Sequence, residues 1–167
     1  STMQNDKNNK ISATENSDRE KIYLLQPVLP AQNSTSLQLE AISLIESAGA
    51  LYAGTMFVQI REINPATYIG KGKLEELQTR LDGLELTVLF NGELSPSQTL
   101  NISSSLGGLK EIDRTTLILD IFAKNAKTNE GKLQVELAQL QYIYPRLKGK
   151  GEALSRLGGG IGTRGPG

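Results

Sequence analysis

The sequence predicts an α/β fold, with a four-stranded, mainly parallel sheet that carries helices on both faces and is followed by a long projecting helix. Three observations lead to this prediction. Short apolar runs typical of buried strands alternate with segments of helical periodicity from Lys21 to Ile112. The links between them are short, which favours parallel strands joined by right-handed crossovers. The alternation then stops, and Arg114–Tyr144 contains no proline and a single interior glycine.

Four apolar runs predict the strands. They read IYLLQPVL, LYAGTMFVQI, LELTVLF and LKEI in chain order. The first is apolar almost throughout, as expected of a strand that is covered on both faces.

Local capping signals predict where the intervening helices begin and end. Thr35 with Gln38 fits a capping box for the first helix, and Gly49 fits its exit. The segment GKLEELQTRLDG predicts the second helix, with its leucines on one side. Ser95 with Gln98 predicts the start of the third, since a proline occupies the first turn between them.

The last predicted helix is longer than the sheet is wide. Asp113 is a suitable N-cap for a helix over Arg114–Tyr144, which would be about 45 Å long. Its first half can pack on the sheet, so its second half is expected to stick out. That half carries a coiled-coil seam formed by Leu133, Leu137, Leu140 and Tyr144. The seam either folds back onto the body or meets a helix beyond Gly167 or on another chain.

Composition excludes several kinds of chemistry. The 167 residues include no cysteine and no histidine, which excludes disulfides, thiolate nucleophiles, imidazole bases and nearly all zinc sites. No apolar run is long enough to span a bilayer, and the start of the chain lacks a signal pattern. A cytoplasmic location without a membrane span is therefore expected.

Charge is unevenly distributed, although the formal net charge is zero. From Pro145 onward there are five cations and one acid, whereas the preceding residues carry thirteen cations and seventeen acids. A basic end on an acidic body indicates an anionic partner for that end. We divide the chain into a disordered segment 1–20, an α/β subdomain 21–112, a long helix 113–147 and a glycine-rich basic loop 148–167.

Two nucleotide-binding motifs can be excluded. GIGTRG, Gly160–Gly165, matches G-x-G-x-x-G, but no strand precedes it and only two residues follow it. None of the Gly-Lys pairs is followed by serine or threonine, so the phosphate-binding loop G-x-x-x-x-G-K-[ST] is absent. We therefore find no nucleotide-hydrolysing machinery and no catalytic or metal-ligating residues in this chain.

Two segments remain as candidate binding sites. The first is LSRLGGGIGTRGPG, in which glycines permit close backbone approach and arginines can contact phosphate or stack on bases, as irregular RNA would require. A plain flexible linker is the alternative. The second segment joins a strand to a helix N-terminus, and five of its residues could bind an anion. The alternative is a glycine turn whose lysines are simply solvated. These five are Thr67, Gly70, Lys71, Gly72 and Lys73.

Three stretches together resemble the N-terminal domain of HflX-type GTPases, a family of ribosome-associated translational GTPases. They are PATYIGKGKLEEL, DRTTLILDIFAKNAKTNEGKLQVELAQLQYIYPRL and GKGEALSRLGGGIGTRGPG, in this order. The resemblance implies an α/β subdomain followed by two long antiparallel helices and a GTPase domain. By this resemblance, Arg114–Tyr144 would be the first helix of the hairpin, and the glycine-rich segment would be the loop at its tip. The chain would then be a fragment that lacks the returning helix and the GTPase domain, and GTP and magnesium would bind to that missing domain.

The resemblance also implies a function. Family members bind the large ribosomal subunit and help to split or rescue stalled ribosomes, notably under heat stress, with this tip contacting ribosomal RNA. The tip residues implied are Ser155, Arg156, Gly158, Gly159, Gly160, Gly162, Thr163, Arg164 and Gly165. Lys148 and Lys150 are added on charge alone.

Two other functions remain open at this point. The α/β subdomain could bind the phosphates of ATP or GTP through Thr67–Lys73, a region where some family members are thought to hold a nucleotide. Alternatively, the seam could make the chain an oligomerisation module, although we expect a monomer. No cofactor is expected for the chain itself.

Overall fold

The computed structural model describes residues 18–147. Its elements are β1 (Lys21–Val28), α1 (Ser34–Ser47), β2 (Leu51–Gln59), α2 (Lys71–Arg80), β3 (Thr87–Phe90), α3 (Pro96–Leu106), β4 (Lys110–Asp113), α4 (Arg114–Asn125) and α5 (Asn129–Leu147). The strands form one sheet in the order β2-β1-β3-β4, and every neighbouring pair is parallel. The predicted fold class is confirmed, including a long C-terminal helix, α5.

Each face of the sheet buries its own apolar layer. On one face, Leu25 and Phe90 pack with α2 and α3, whereas on the other Leu24 and Leu89 pack with α1 and α4. Neighbouring residues of β1 thus enter opposite layers, as the alternating geometry of a strand requires. The apolar run of the first strand thus contributes to both layers, which confirms the predicted burial of this strand on both faces.

The predicted helix caps are confirmed at three positions and wrong at one. Ser95 and Gln98 form the reciprocal capping box of α3, and the Asp113 carboxylate accepts from the Thr116 N–H at 2.9 Å. Gly49 follows α1 with a φ of +80°. The start of α1 differs, because Asn33 rather than Thr35 is the N-cap and accepts from the Ser36 N–H. An asparagine two residues earlier begins the helix before the threonine can cap it.

The predicted single helix over Arg114–Tyr144 is wrong, because the chain breaks into α4 and α5. At the break Ala126 is extended, with a ψ of 128°. The Thr128 hydroxyl then accepts from the Gly131 N–H at 2.9 Å and acts as a cap for α5. A side-chain cap competes with continuation of the helix, and the break lets α5 run back along α4.

The second half of the segment therefore does not stick out from the body. The Gln139 amide donates to the Asp120 carboxylate on α4 at 2.9 Å. At the end of α5, Leu147 is only 8 % exposed. The basic segment that follows Leu147 thus begins at the α/β body, at the carboxyl edge of the sheet.

Candidate functional site

The loop between β2 and α2 is held in one conformation by its own hydrogen bonds. The Asn64 side-chain carbonyl accepts from the Ala66 N–H at 2.8 Å and from the Thr67 N–H at 3.2 Å. Asn64 and Tyr68 also exchange two backbone hydrogen bonds, at 2.9 and 2.8 Å. Tyr68 adopts the left-handed conformation, with a φ of +65°. Such a conformation in a bulky residue persists only where its surroundings hold it.

Neighbouring elements supply that support. The Gln98 amide donates to the Asn64 carbonyl at 2.8 Å, and the Asn101 amide donates to the Ala66 carbonyl at 2.9 Å. The Tyr68 ring meets Phe90 edge to face, with 5.0 Å between centroids. Burial raises the pKa of the Tyr68 hydroxyl above its usual range. The loop is thus docked on α3 and β3 and presents a fixed surface.

The predicted nucleotide-binding residues lie in and after this loop. The Thr67 hydroxyl donates to the Ile69 carbonyl at 2.7 Å, so its proton is already used within the loop. Gly70 is the N-cap of α2 and provides no side-chain cap. Space is open beside both Gly70 and Gly72, where an added Cβ would meet nothing within 4 Å. Gly70, Lys71 and Gly72 are exposed, and the backbone N–H groups of a first helical turn attract anions.

The two lysines of this region are solvated. Lys71 is exposed, and the Lys73 ammonium lies 3.3 Å from the Glu76 carboxylate with about half of each side chain in solvent. A surface ion pair of this kind is worth little. The arrangement could hold a phosphate group loosely, through backbone donors and two exposed cations.

Sequence reasoning missed a polar cluster beside this loop, of which Gln26 and Asn91 are buried. Ligands of open parallel sheets bind where the strand order reverses, which here lies between β1 and β3. At this place the Asn91 amide donates to the Gln26 side chain at 2.6 Å, and Arg114 donates to Asn91 at 3.4 Å while pairing with Glu40. A glutamine within an otherwise apolar strand was the signal that could have revealed it. The polar groups satisfy one another, so the cluster stabilises the edge of the sheet.

All the predicted RNA-binding residues lie outside the described residues. They are Lys148, Lys150, Ser155, Arg156, Gly158, Gly159, Gly160, Gly162, Thr163, Arg164 and Gly165. Of the five cations counted from Pro145 onward, only Arg146 is described, and it contacts the body. Its guanidinium donates to the Leu94 carbonyl through Nε at 3.0 Å and through Nη2 at 2.8 Å.

The predicted seam of α5 is exposed. Leu133 and Tyr144 at its two ends are 66 % and 70 % exposed, and Leu137 and Leu140 between them are also exposed. At 100° per residue, the centre of this seam lies about 160° around the helix from Gln139, Tyr142 and Arg146, which face the body. Within residues 18–147, α5 therefore turns these four side chains to solvent, whereas Leu147 at its end is buried.

The described part of the chain offers no metal site of ordinary composition. In residues 18–147, no group of three or more His, Cys, Asp or Glu could hold an ion. The same residues include no helix that is both long and apolar enough to cross a membrane.

Comparison with known proteins identifies relatives that match most of this chain. Residues 35–123 match the family described as GTP-binding GTPase N-terminal, and residues 125–167 match GTP-binding GTPase Middle Region. The chain is 49 % identical over 151 residues to GTPase HflX of Caldanaerobacter subterraneus subsp. tengcongensis, covering 90 % of this chain and 35 % of that protein. It is 44 % identical over 126 residues to GTPase HflX of Escherichia coli, covering 75 % and 29 %. The chain thus spans about a third of these relatives' lengths.

Solved structures show the same fold. A GTP-binding protein from the archaeon Sulfolobus solfataricus in complex with GDP superimposes with a TM-score of 0.60 at 27 % identity, covering 83 % of this chain and 42 % of that one. A structure described as the SsGBP and GDP complex gives a TM-score of 0.63 at 29 % identity, covering 81 % and 38 %.

Proposed function

The chain belongs to the HflX-type family of GTP-binding GTPases, and from this premise we propose that it is the ribosome-binding region of a cytoplasmic translational GTPase. In this proposal residues 148–167 contact ribosomal RNA of the large subunit, and binding promotes the splitting or rescue of stalled ribosomes. One observation carries the proposal: α5 ends with Leu147 buried and Arg146 held by Leu94, directly before a segment with four cations and one acid.

A fixed starting point makes such a segment effective. A glycine-rich chain loses conformational entropy when it binds, and holding one end in place restricts the positions that the rest can reach. Its glycines let the backbone approach an irregular RNA surface closely, while Arg156 and Arg164 can make forked contacts with phosphate. Because Arg146 is engaged by the body, we count only the four later cations as phosphate ligands.

The experiment is sedimentation of the chain with purified large ribosomal subunits over a range of salt. Four phosphate contacts predict a slope of log K against log salt of about −2.8, or a loss of about fiftyfold between 50 and 200 mM salt. A variant that ends at Leu147 should lose this binding, and the cut spares the buried end of α5. Binding that is unaffected by salt or by this truncation would refute the proposal.

A matched charge control separates a specific contact from general attraction. Arg156→Ala with Arg164→Ala should halve the slope to about −1.4. Lys127→Ala with Lys132→Ala also removes two cations, but from the exposed turn and start of α5. This second pair should leave the slope unchanged, and an equal loss in both pairs would contradict the assignment.

The exposed seam of α5 has a proposed occupant. The relatives are about three times as long as this chain, and we propose that a helix following Gly167 in a protein of that length returns along the seam and leads to the GTPase domain. GTP and magnesium would belong to that domain. This sequence has no G-x-x-x-x-G-K-[ST] loop, and residues 18–147 include no group of three or more His, Cys, Asp or Glu that could hold a metal ion.

Nucleotide binding by the loop before α2 is a second candidate function. The observation that favours it is the N-cap Gly70, which provides no side-chain cap and leaves open space at the helix start. Calorimetry with ATP and GTP should then show binding that weakens in Lys71→Ala and Lys73→Ala but not in Lys127→Ala. Tight binding that depends on these lysines, without affinity for ribosomal subunits, would favour this function over the first.

A further inference from the structure

The N-terminal end of α4 is joined to two other elements through one carboxylate. Asp113 is 5 % exposed. One of its oxygens accepts from the Thr116 N–H and caps α4, whereas the other accepts from the Leu94 N–H at 3.2 Å and from the Tyr142 hydroxyl on α5. A single buried carboxylate thus ties α5 to the loop between β3 and α3 and to the start of α4.

Arg146 closes the same arrangement one turn further along α5. Its guanidinium lies over the Tyr142 ring, 3.5 Å from the centroid, and its Nη1 donates to the Tyr142 carbonyl at 2.8 Å. Two more of its donors reach the Leu94 carbonyl. Leu94 therefore offers its N–H to Asp113 and its carbonyl to Arg146. We call these four residues, Leu94, Asp113, Tyr142 and Arg146, the clasp.

The opposite end of α5 follows a short turn. Three residues, 126–128, separate α4 from α5, and Ala126 among them is extended. Between this turn and the clasp, Gln139 adds one hydrogen bond to Asp120. In α5, only Leu147 is buried among the described side chains. Apolar burial is therefore too slight to set the position of α5 by itself.

The chemistry of the clasp suits the task of setting an orientation. Apolar contacts are non-directional, so a helix held by them alone can rotate or slide at low cost. A hydrogen bond weakens steeply when its angle departs from linearity, and the planar guanidinium imposes a fixed fork. Rotation of α5 would break the Tyr142 and Arg146 contacts together.

We propose that Tyr142 and Arg146 are positioning residues that set the rotation and angle of α5 against the α/β body. The clasp keeps the seam turned outward and fixes the point at which residues 148–167 begin. The consequence for ribosome binding rests on the function proposed above, but the orientation itself can be measured without a ribosome.

The absence of cysteine from the sequence permits a direct test. Spin labels are attached through Ser43→Cys on α1 and Glu136→Cys on α5, both exposed positions, and the distance distribution is measured by double electron–electron resonance. Ser43→Cys with Glu75→Cys on α2 serves as the reference, because both labels then lie on the α/β body. Tyr142→Phe and Arg146→Lys should each broaden or shift the first distribution and leave the reference unchanged.

The chain also offers a matched control. Tyr144→Phe removes the same hydroxyl group from a tyrosine of α5 that is 70 % exposed on the seam, and it should alter neither distribution. A cooperative thermal transition measured on each variant establishes that the body is folded, and Arg146→Lys provides the test if Tyr142→Phe does not fold. Distributions in Tyr142→Phe and Arg146→Lys that match the parent chain would overturn the proposal.

Subunit sedimentation distinguishes the clasp from the function. A broadened distance with weaker subunit binding supports both. A broadened distance with unchanged binding still supports the clasp, while it shows that binding of this chain does not depend on the orientation of α5.

Discussion

Replacement of Gly92 by alanine is expected to destabilise the protein through one close contact. A Cβ added at Gly92 would lie 2.9 Å from the Tyr68 hydroxyl oxygen and 3.0 Å from the ring carbon that bears it. The ring cannot easily move, because it packs edge-on against Phe90 and its backbone is held in the left-handed region. Overpacking of this kind costs about 1–3 kcal/mol, and we expect Gly92→Ala to lower the free energy of unfolding by about 2 kcal/mol.

Two further variants test this reasoning by urea denaturation. Tyr68→Phe removes the nearest atom but leaves the ring carbon at 3.0 Å, so the double variant should recover part of the loss, with a coupling of at least about 0.5 kcal/mol. Gly72→Ala is the control, since its added Cβ meets nothing within 4 Å. It lies in the first turn of α2 and should stabilise the protein by up to about 1 kcal/mol. A Gly92→Ala variant as stable as the parent, or one with no coupling to Tyr68, would refute the contact.

Three other predictions concern the helices. Ser95→Ala should lower the free energy of unfolding by about 1 kcal/mol, because it removes the capping box with Gln98; an unchanged urea midpoint would contradict this. Burial, and then the hydrogen bond to Asp113, raise the pKa of Tyr142 above its ordinary value of 10.0. The neutral phenol therefore stabilises the folded state below pH 10, and this stabilisation is lost as the pH rises through the pKa of the folded state. The free energy of unfolding should therefore fall more steeply above pH 10 in the parent than in Tyr142→Phe, and parallel curves would exclude the linkage. Leu137→Lys on the exposed seam should leave stability within about 0.5 kcal/mol, and light scattering over a concentration series should show a monomer for both proteins; association of the parent that this change abolishes would instead favour an oligomerisation module.

Local signals were sufficient wherever neighbouring residues decide the structure. The strands follow from apolar runs. The start of α3 follows from Ser95 and Gln98, because both hydrogen bonds of this capping box form within four residues of sequence. Where two local signals compete, the pattern is insufficient. Asn33 and Thr35 are both residue types that cap helices, and the structure has the cap at Asn33.

The candidate site was predicted in part. The sequence located the loop before α2, because a glycine turn between a strand and a helix can be recognised within one continuous segment. It did not reveal that Gln98 and Asn101 hold this loop in place, because those contacts join residues more than thirty positions apart. Residues 148–167 remain a prediction from charge, composition and resemblance.

As far as Asp113, the sequence by itself determined the order of strands and helices. It also determined the two-sided burial of β1 and the unevenness of charge, since these are read directly from residue types along the chain. Tertiary structure alone decided the course of the chain after Asp113. Thr128 caps α5 locally, but the position of the returning helix depends on its contacts with Asp120, Asp113 and Leu94. Hydrogen bonds between groups far apart in sequence have no periodicity to reveal them, and they determine where the basic segment begins.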